Sequence, residues 1–149
     1  MNMLATSFFR KVDELPILDV LGLEVRVLAG GDETDAQSCI TRMSCPQGVG
    51  APLHRHPHAE NFFVMEGTLS VQLGEETIAL GPGEFFHVHA DAPHGFRNEA
   101  AEPAVFINCA TPAGHEAFFR DMDAMSKRGH YDLSEVAAVC AKHQIELLV

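Results

Sequence analysis

The feature that most constrains this 149-residue chain is a His-x-His pair followed four residues later by a glutamate. On a β-strand, side chains two residues apart point to the same face, so His54 and His56 can direct both imidazoles to one point. Glu60 follows Pro57, which cannot continue an inner ladder, so we expect the chain to bend there and return the carboxylate to that point. Together with His94, these groups suit a divalent metal such as iron, manganese, nickel, copper or zinc.

Glycines frame both histidine segments at regular spacing. The segment GVGAPLHRHPHAENFFVMEG follows G-x5-H-x-H-x3-E-x6-G at all five defining positions, from Gly48 to Gly67. A second segment, GEFFHVHADAPHGFRN, places Gly83, His94 and Asn98 where G-x5-P-x-G-x2-H-x3-N requires them. The two motifs resemble those of the cupin family. The resemblance implies an all-β fold, an antiparallel β-barrel of the jelly-roll type, with a metal ion held inside it.

The second motif departs from the family pattern at two positions. His89 stands where the family has proline, and Asp91 stands where it has glycine. Aspartate is one of the few residues that tolerate the left-handed backbone region, so we expect the turn at Asp91 to survive. The departure adds an imidazole and a carboxylate close to His94, at the mouth of the expected site.

The resemblance also implies roles for particular residues. The metal ligands would be His54, His56, Glu60 and His94, with Glu60 as the catalytic residue that alternates between metal ligand and proton acceptor. The tail segment Thr-Pro-Ala-Gly-His-Glu-Ala-Phe-Phe-Arg makes the chain similar to small bacterial cupins described as quercetin-dioxygenase-like. We expect the cavity walls at Phe62, Val64, Val71 and Phe96.

The periodicity of the chain predicts short strands followed by two helices. Alternating apolar residues and intervening turn signals predict strands at 23–28, 68–73, 77–80, 85–89 and 104–109. Intervals of three and four residues predict an amphipathic helix over 115–127, ended by Gly129, and a second over 133–143, capped by Asp132. We therefore expect one cupin domain over 1–149, with the barrel at about 20–112 and a helical tail at about 113–149.

Two details of this prediction concern buried and exposed faces. Phe106 alternates out of phase with Val105 and Ile107, which predicts that it lies on the outer face of its strand. The second helix is predicted to bury a stripe of four residues, namely Leu133, Val136, Ala137 and Cys140.

The remaining histidines and the cysteines are given structural roles. A single histidine is more often solvated or hydrogen-bonded than metal-bound, and this is the expectation for His58, His87, His89, His115, His130 and His143. If Phe86 and Val88 face the core, His87 and His89 point outward. Four widely spaced cysteines form no C-x-x-C pair and are expected to be buried thiols, at Cys39, Cys45, Cys109 and Cys140.

Charge and composition exclude several classes of partner. The formal net charge of −11 argues against nucleic acid and anionic membrane surfaces, which require clustered lysine and arginine. The N-terminal residues lack the apolar run of a signal peptide, so a cytoplasmic location is the default expectation. The resemblance implies a homodimer, with the N-terminal segment or the second helix as contact. The expected partner is a small-molecule substrate or ligand.

Three functions remain open from the residues alone. The first is a metal-dependent dioxygenase acting on a small organic substrate, since three imidazoles and one carboxylate can leave metal positions for dioxygen and substrate. The second is a metal-dependent isomerase or decarboxylase, in which the same ligands hold a Lewis acid. The third is a noncatalytic metal-containing barrel that binds or senses a small ligand, because one fold hosts many functions.

Overall fold

A computed structural model describes residues 7–148 and shows two antiparallel sheets followed by two helices. After a short 3₁₀ turn at Val12–Glu14, the chain forms eight strands up to Val88, namely β1 (Leu18–Val20), β2 (Leu23–Ala29), β3 (Cys39–Cys45), β4 (Gly50–Arg55), β5 (Ala59–Glu66), β6 (Leu69–Leu73), β7 (Glu76–Leu80) and β8 (Phe85–Val88). The remaining elements are β9 (His94–Arg97), β10 (Ala104–Thr111), α1 (His115–Arg128), α2 (Leu133–Lys142) and β11 (Glu146–Leu147).

The strands form a six-stranded sheet and a five-stranded sheet. The first has the order β1-β2-β3-β10-β5-β8, and the second has the order β11-β4-β9-β6-β7. Every paired strand runs antiparallel to its neighbour. This architecture confirms the predicted all-β jelly roll with C-terminal helices.

The space between the sheets is filled by apolar side chains from both. Phe62 and Val64 on β5, Leu69 and Val71 on β6, and Phe106 on β10 are all at most 2% exposed. The prediction for Phe106 was therefore wrong. The ladder between β10 and β5 shifts register between Val105 and Phe106, and this irregularity breaks the alternation on which the prediction relied.

The two helices differ in how they meet the barrel. Helix α1 buries Phe119, Met122 and Met125, as the sequence predicted, and ends at Gly129 in the left-handed conformation (φ 84°). Helix α2 begins at the Asp132 cap, whose side chain accepts a hydrogen bond from the Glu135 amide.

The predicted stripe on α2 was wrong for two of its four residues. Leu133 is 85% exposed, and Ala137 is also exposed, whereas Val136 is half-buried and Cys140 is buried. Periodicity identifies the apolar face of a helix, but it does not establish that another element covers that face. Neither described helix is long and apolar enough to cross a membrane.

Candidate metal centre

Three histidines converge between the two sheets. His54 on β4 pairs directly with His94 on β9, and His56 follows at the end of β4. The strands approach closely because Gly50 has no side chain, since a Cβ there would collide with the Phe96 carbonyl oxygen. One ring nitrogen from each of the three histidines lies within 4.8 Å of the other two, so the group could hold a metal ion.

Backbone carbonyl oxygens orient all three rings. The Nδ1 atom of His54 lies 2.7 Å from the Pro52 oxygen, and that of His94 lies 2.8 Å from the Ala92 oxygen. The Nδ1 atom of His56 lies 3.0 Å from the carbonyl oxygen of His58. A carbonyl oxygen only accepts, so each Nδ1 must carry the hydrogen and donate it. In the neutral rings, Nε2 is therefore left with its lone pair available to a metal.

Glu60 enters this group from the opposite sheet. The chain bends between β4 and β5, as expected, and Glu60 on β5 lies between Val88 and Ala110 of the neighbouring strands. Its Oε2 atom lies 3.1 Å from His94 Nε2 and 3.5 Å from His56 Nε2. The structure thus brings all four predicted residues together, and each is at most 8% exposed.

The turn after β8 keeps the geometry that the second motif requires. Asp91 has a φ of 63°, in the left-handed region, where the family has glycine. Its amide donates a hydrogen bond to the His56 carbonyl oxygen at 2.8 Å. The expectation that aspartate preserves this turn is confirmed, and the turn joins the backbone of His56 to the segment that leads to His94.

Two further histidines contact the other carboxylate oxygen of Glu60. His115 Nε2 lies 3.3 Å from Glu60 Oε1, and His58 Nε2 lies 3.8 Å from the same oxygen. The ring of His58 also stacks on that of His56 with a centroid distance of 3.7 Å. The sequence analysis gave both residues only structural roles. His115 occupies the first position of α1, and its proximity to the barrel interior is a tertiary contact with no local sequence signal.

Burial and charge shift the protonation of this cluster. Burial lowers the pKa of His54 to about 4 and that of His115 to about 3. Burial alone would raise the pKa of the Glu60 carboxyl, but the neighbouring imidazoles outweigh it and hold this pKa well below its usual range. The centre therefore combines the Glu60 carboxylate with neutral rings at His54 and His115 around neutral pH, whereas at His56 burial is outweighed by Glu60, which raises the pKa of that ring.

The donor set fits a divalent metal ion. His56 Nε2 is buried and has no hydrogen-bond partner among residues 7–148. The Nε2 atoms of His56 and His94 both point at Glu60 Oε2, so a cation placed between these atoms would contact two nitrogens and one carboxylate oxygen. Two atoms that bind the same ion with bonds of about 2.0–2.2 Å lie about 2.8–3.6 Å apart. The observed separations of 3.1 and 3.5 Å lie within this range.

The second His-x-His pair lies outside the barrel. His87 and His89 are both exposed, while Val88 between them is buried. A hydrogen bond of 2.8 Å joins His87 Nε2 and His89 Nδ1, and His87 Nδ1 lies 2.7 Å from Asn61 Oδ1. The expectation that they point outward if Phe86 and Val88 face the core is confirmed. Cysteine is absent from the metal-capable groups found among residues 7–148.

Two cavities differ in their relation to the histidine cluster. A cleft of about 440 Å³ lies at the turn before β4, and its lining includes Phe96 but none of the cluster histidines. A cavity of about 370 Å³ is lined by His58 and His115 and by the end of α2. Of the four expected cavity walls, Phe62, Val64 and Val71 are instead packed in the core. The second cavity is therefore the one that adjoins the candidate metal centre.

Comparison with known proteins identifies the family. Residues 41–109 match the model of the cupin domain family. The chain therefore contains a cupin domain over these residues. It is similar to the quercetin 2,3-dioxygenase of Bacillus subtilis (strain 168), with 30% identity over 98 residues that cover 65% of this chain and 29% of that protein. The chain thus matches less than a third of the length of this relative and is a small cupin of the quercetin-dioxygenase-like type.

Solved structures agree on the fold. An RmlC-like cupin from Shewanella frigidimarina has a TM-score of 0.66 at 20% identity, covering 74% of this chain and 96% of that chain. The polyketide cyclase RemF from Streptomyces resistomycificus has a TM-score of 0.66 at 19% identity, covering 71% of this chain and 80% of that chain. At these identities, the likeness shows the shared barrel alone.

Proposed function

We propose that this cupin is a metal-dependent dioxygenase that acts on a small organic substrate. The observation that carries the proposal is a buried group of three histidine ring nitrogens within 4.8 Å of one another, with Glu60 Oε2 3.1 Å from His94 Nε2 and 3.5 Å from His56 Nε2. His54, His56, His94 and Glu60 Oε2 would hold one divalent ion of iron, manganese, nickel, copper or zinc. The similarity to a quercetin dioxygenase supports oxygen chemistry as the first candidate reaction.

A bound metal supplies Lewis acidity, which acidifies a substrate hydroxyl, and a redox-active metal also supplies electron exchange with dioxygen. In a dioxygenase, both oxygen atoms enter the organic substrate, so the reaction requires no external reductant. The aromatic core beneath the site excludes water, because Phe62 and Phe106 are almost completely buried and lie with ring centroids 5.7 Å apart.

Glu60 has the geometry for two roles. Its Oε2 atom faces two of the imidazoles that would hold the metal, those of His56 and His94, whereas Oε1 faces His58 and His115 on the side of the 370 Å³ cavity. The carboxylate can thus act as a proton acceptor at Oε1 while Oε2 remains directed at the metal position. His115 contacts this oxygen from the first turn of α1 and would hold the carboxylate in place.

Two measurements test this proposal, namely the metal content of the purified protein and the dependence of turnover on dioxygen. Protein purified without an affinity tag is expected to contain about one redox-active metal ion per chain. Turnover of flavonols or other aromatic and enediol substrates is expected under air and is expected to stop when dioxygen is removed. Undiminished anaerobic turnover would assign the chain to the isomerase or decarboxylase alternative.

The third outcome is a noncatalytic barrel. If the metal-loaded protein binds a small ligand under air but forms no product with any of several metals, the binding or sensing alternative replaces the dioxygenase. If the protein holds no metal after reconstitution, every one of these functions is excluded, because each depends on the same four ligands.

A further inference from the structure

We propose that the cavity beside His58 and His115 is a binding subsite for an organic carboxylate. The cavity has a volume of about 370 Å³, which falls within the range of small-molecule sites. The loop after β4, the loop before α1 and the end of α2 form its walls. This inference rests on the proposed metal centre, which would adjoin the cavity, and it adds the substrate class.

The lining of this cavity differs from the chain as a whole. The chain has 21 acidic and 10 basic residues, yet acidic residues are absent from the nine that line the cavity within the described part of the chain. The polar members are three imidazoles, one ammonium group and one amide. They are His58, His115, Lys142, His143 and Gln144. Such a lining offers hydrogen-bond donors to an anion, whereas the overall charge of −11 would repel one.

The cavity adjoins the candidate metal centre through two of these side chains. His58 and His115 line the cavity, and their Nε2 atoms lie 3.8 and 3.3 Å from Glu60 Oε1. A molecule bound there would be separated from the Glu60 carboxylate by one imidazole ring. His58 Nε2 itself is buried and has no hydrogen-bond partner among residues 7–148.

The charge balance of the loaded site favours an anion. A divalent ion together with the single carboxylate of Glu60 would leave one net positive charge at the proposed metal centre, which the rings of His58 and His115 separate from the cavity. At its rim, Lys142 Nζ donates to Asp121 Oδ2 at 2.8 Å, and His143 Nε2 lies 2.6 Å from the same oxygen. Asp121 neutralises part of this charge, but an ammonium group has three donors, so Lys142 retains two for a ligand.

Paired probes that differ in charge test the inference. Benzoate and benzamide have similar shapes, but only benzoate is anionic. Their binding to zinc-loaded protein would be measured by isothermal titration calorimetry. We expect benzoate to bind about tenfold more tightly, because hydrogen bonds to a charged group are stronger by roughly 1 kcal/mol or more. Magnetisation transfer should also connect the benzoate protons to the ring protons of His58 and His115.

A matched pair of lysine variants tests whether the preference for benzoate arises in this cavity. Lys142→Gln is expected to weaken benzoate binding about two- to fivefold, as for the loss of one exposed ionic contact, and to leave benzamide binding unchanged. Lys127→Gln is the control, because Lys127 pairs with Asp123 and does not line the cavity. Equal affinity for the two probes, or benzoate binding that Lys142→Gln leaves unchanged, would overturn the inference.

Zinc analysis of the same samples separates this inference from the proposed function. Protein that holds zinc but binds both probes equally retains the metal centre and loses the carboxylate subsite. Protein that holds no zinc but still prefers benzoate in a manner dependent on Lys142 retains the subsite and loses the proposed metalloenzyme.

Discussion

The chain contains two His-x-His pairs with the same spacing and opposite environments. His54 and His56 lie between the sheets, where each Nδ1 donates to a backbone carbonyl oxygen and both rings cluster with His94. His87 and His89 lie outside, where their rings bond to each other. Spacing therefore places two imidazoles on one face of the chain, but strand orientation and the acceptors at Nδ1 determine whether the pair can hold a metal.

The largest expected difference between the two pairs is the effect of an alanine substitution on metal content. His56→Ala removes a ligand and is expected to abolish stoichiometric metal binding together with the thermal stabilisation that metal gives the native state. His89→Ala is the matched control and is expected to retain both. Elemental analysis and thermal melts with and without metal provide the measurement. Full metal content in the His56 variant, or loss in the His89 variant, would reverse the assignment of the pairs.

The loss of stability on removing a phenylalanine side chain should also be larger on the inner side of the barrel than on the outer side. Phe106 is fully buried between the sheets, and Phe85 shares the outer strand face with His87 and is 60% exposed. Phe106→Ala is expected to lower the free energy of unfolding by about 3–5 kcal/mol, and Phe85→Ala by less than about 0.5 kcal/mol. Denaturant unfolding of both variants measures the difference. Similar losses would show that the two faces are packed alike.

The helix that carries His115 to the inner pair is anchored by a buried carboxylate. Asp123 Oδ1 accepts a hydrogen bond from the Asp19 amide, and Oδ2 accepts one from Lys127 Nζ. Burial alone would raise the pKa of Asp123, but these two bonds outweigh it and lower the pKa. Asp123→Asn is expected to cost about 1.5–3 kcal/mol at neutral pH.

The pH dependence of this effect has a defined sign. Because the pKa is lower in the folded state, the stabilisation is present above the unfolded value of about 3.8 and is lost as pH falls through the folded value. Unfolding curves for the parent protein and the Asp123 variant should therefore converge below about pH 3.8. Lys127→Gln is the control and is expected to change stability by at most about 1 kcal/mol. A gap between parent and variant that persists in acid would contradict this role.

The smallest expected effect is a change in metal affinity when the contact between His115 and Glu60 is removed. His115→Ala removes the contact with Glu60 Oε1 but no proposed ligand. Metal affinity is expected to fall about 10–100-fold, while saturating metal still gives about one ion per chain. Competition with a chelator measures the affinity. His130→Ala, at an exposed position after α1, is the control. Affinity unchanged in the His115 variant would show that Glu60 is held without it.

Local rules were sufficient for the inner pair but not for the residues around it. Spacing on a strand predicted the shared face of His54 and His56, and the tolerance of aspartate for positive φ predicted the turn at Asp91. His115 was missed because it reaches the site through the packing of α1 against the barrel. Phe106 was misplaced because the register shift beside it has no marker in the sequence. The exposure of Leu133 depends on which element covers α2, and periodicity carries no such information.

X-ray absorption spectroscopy of the reconstituted protein would identify the atoms that bind the metal. We expect three imidazole nitrogens and at least one carboxylate oxygen at about 2.0–2.2 Å from a single type of metal site, with no sulfur ligand. The imidazole signal should fall by one ring in His54→Ala and stay unchanged in His87→Ala. A spectrum with sulfur ligands, or an imidazole signal that depends on His87 and not on His54, would contradict the inner metal centre.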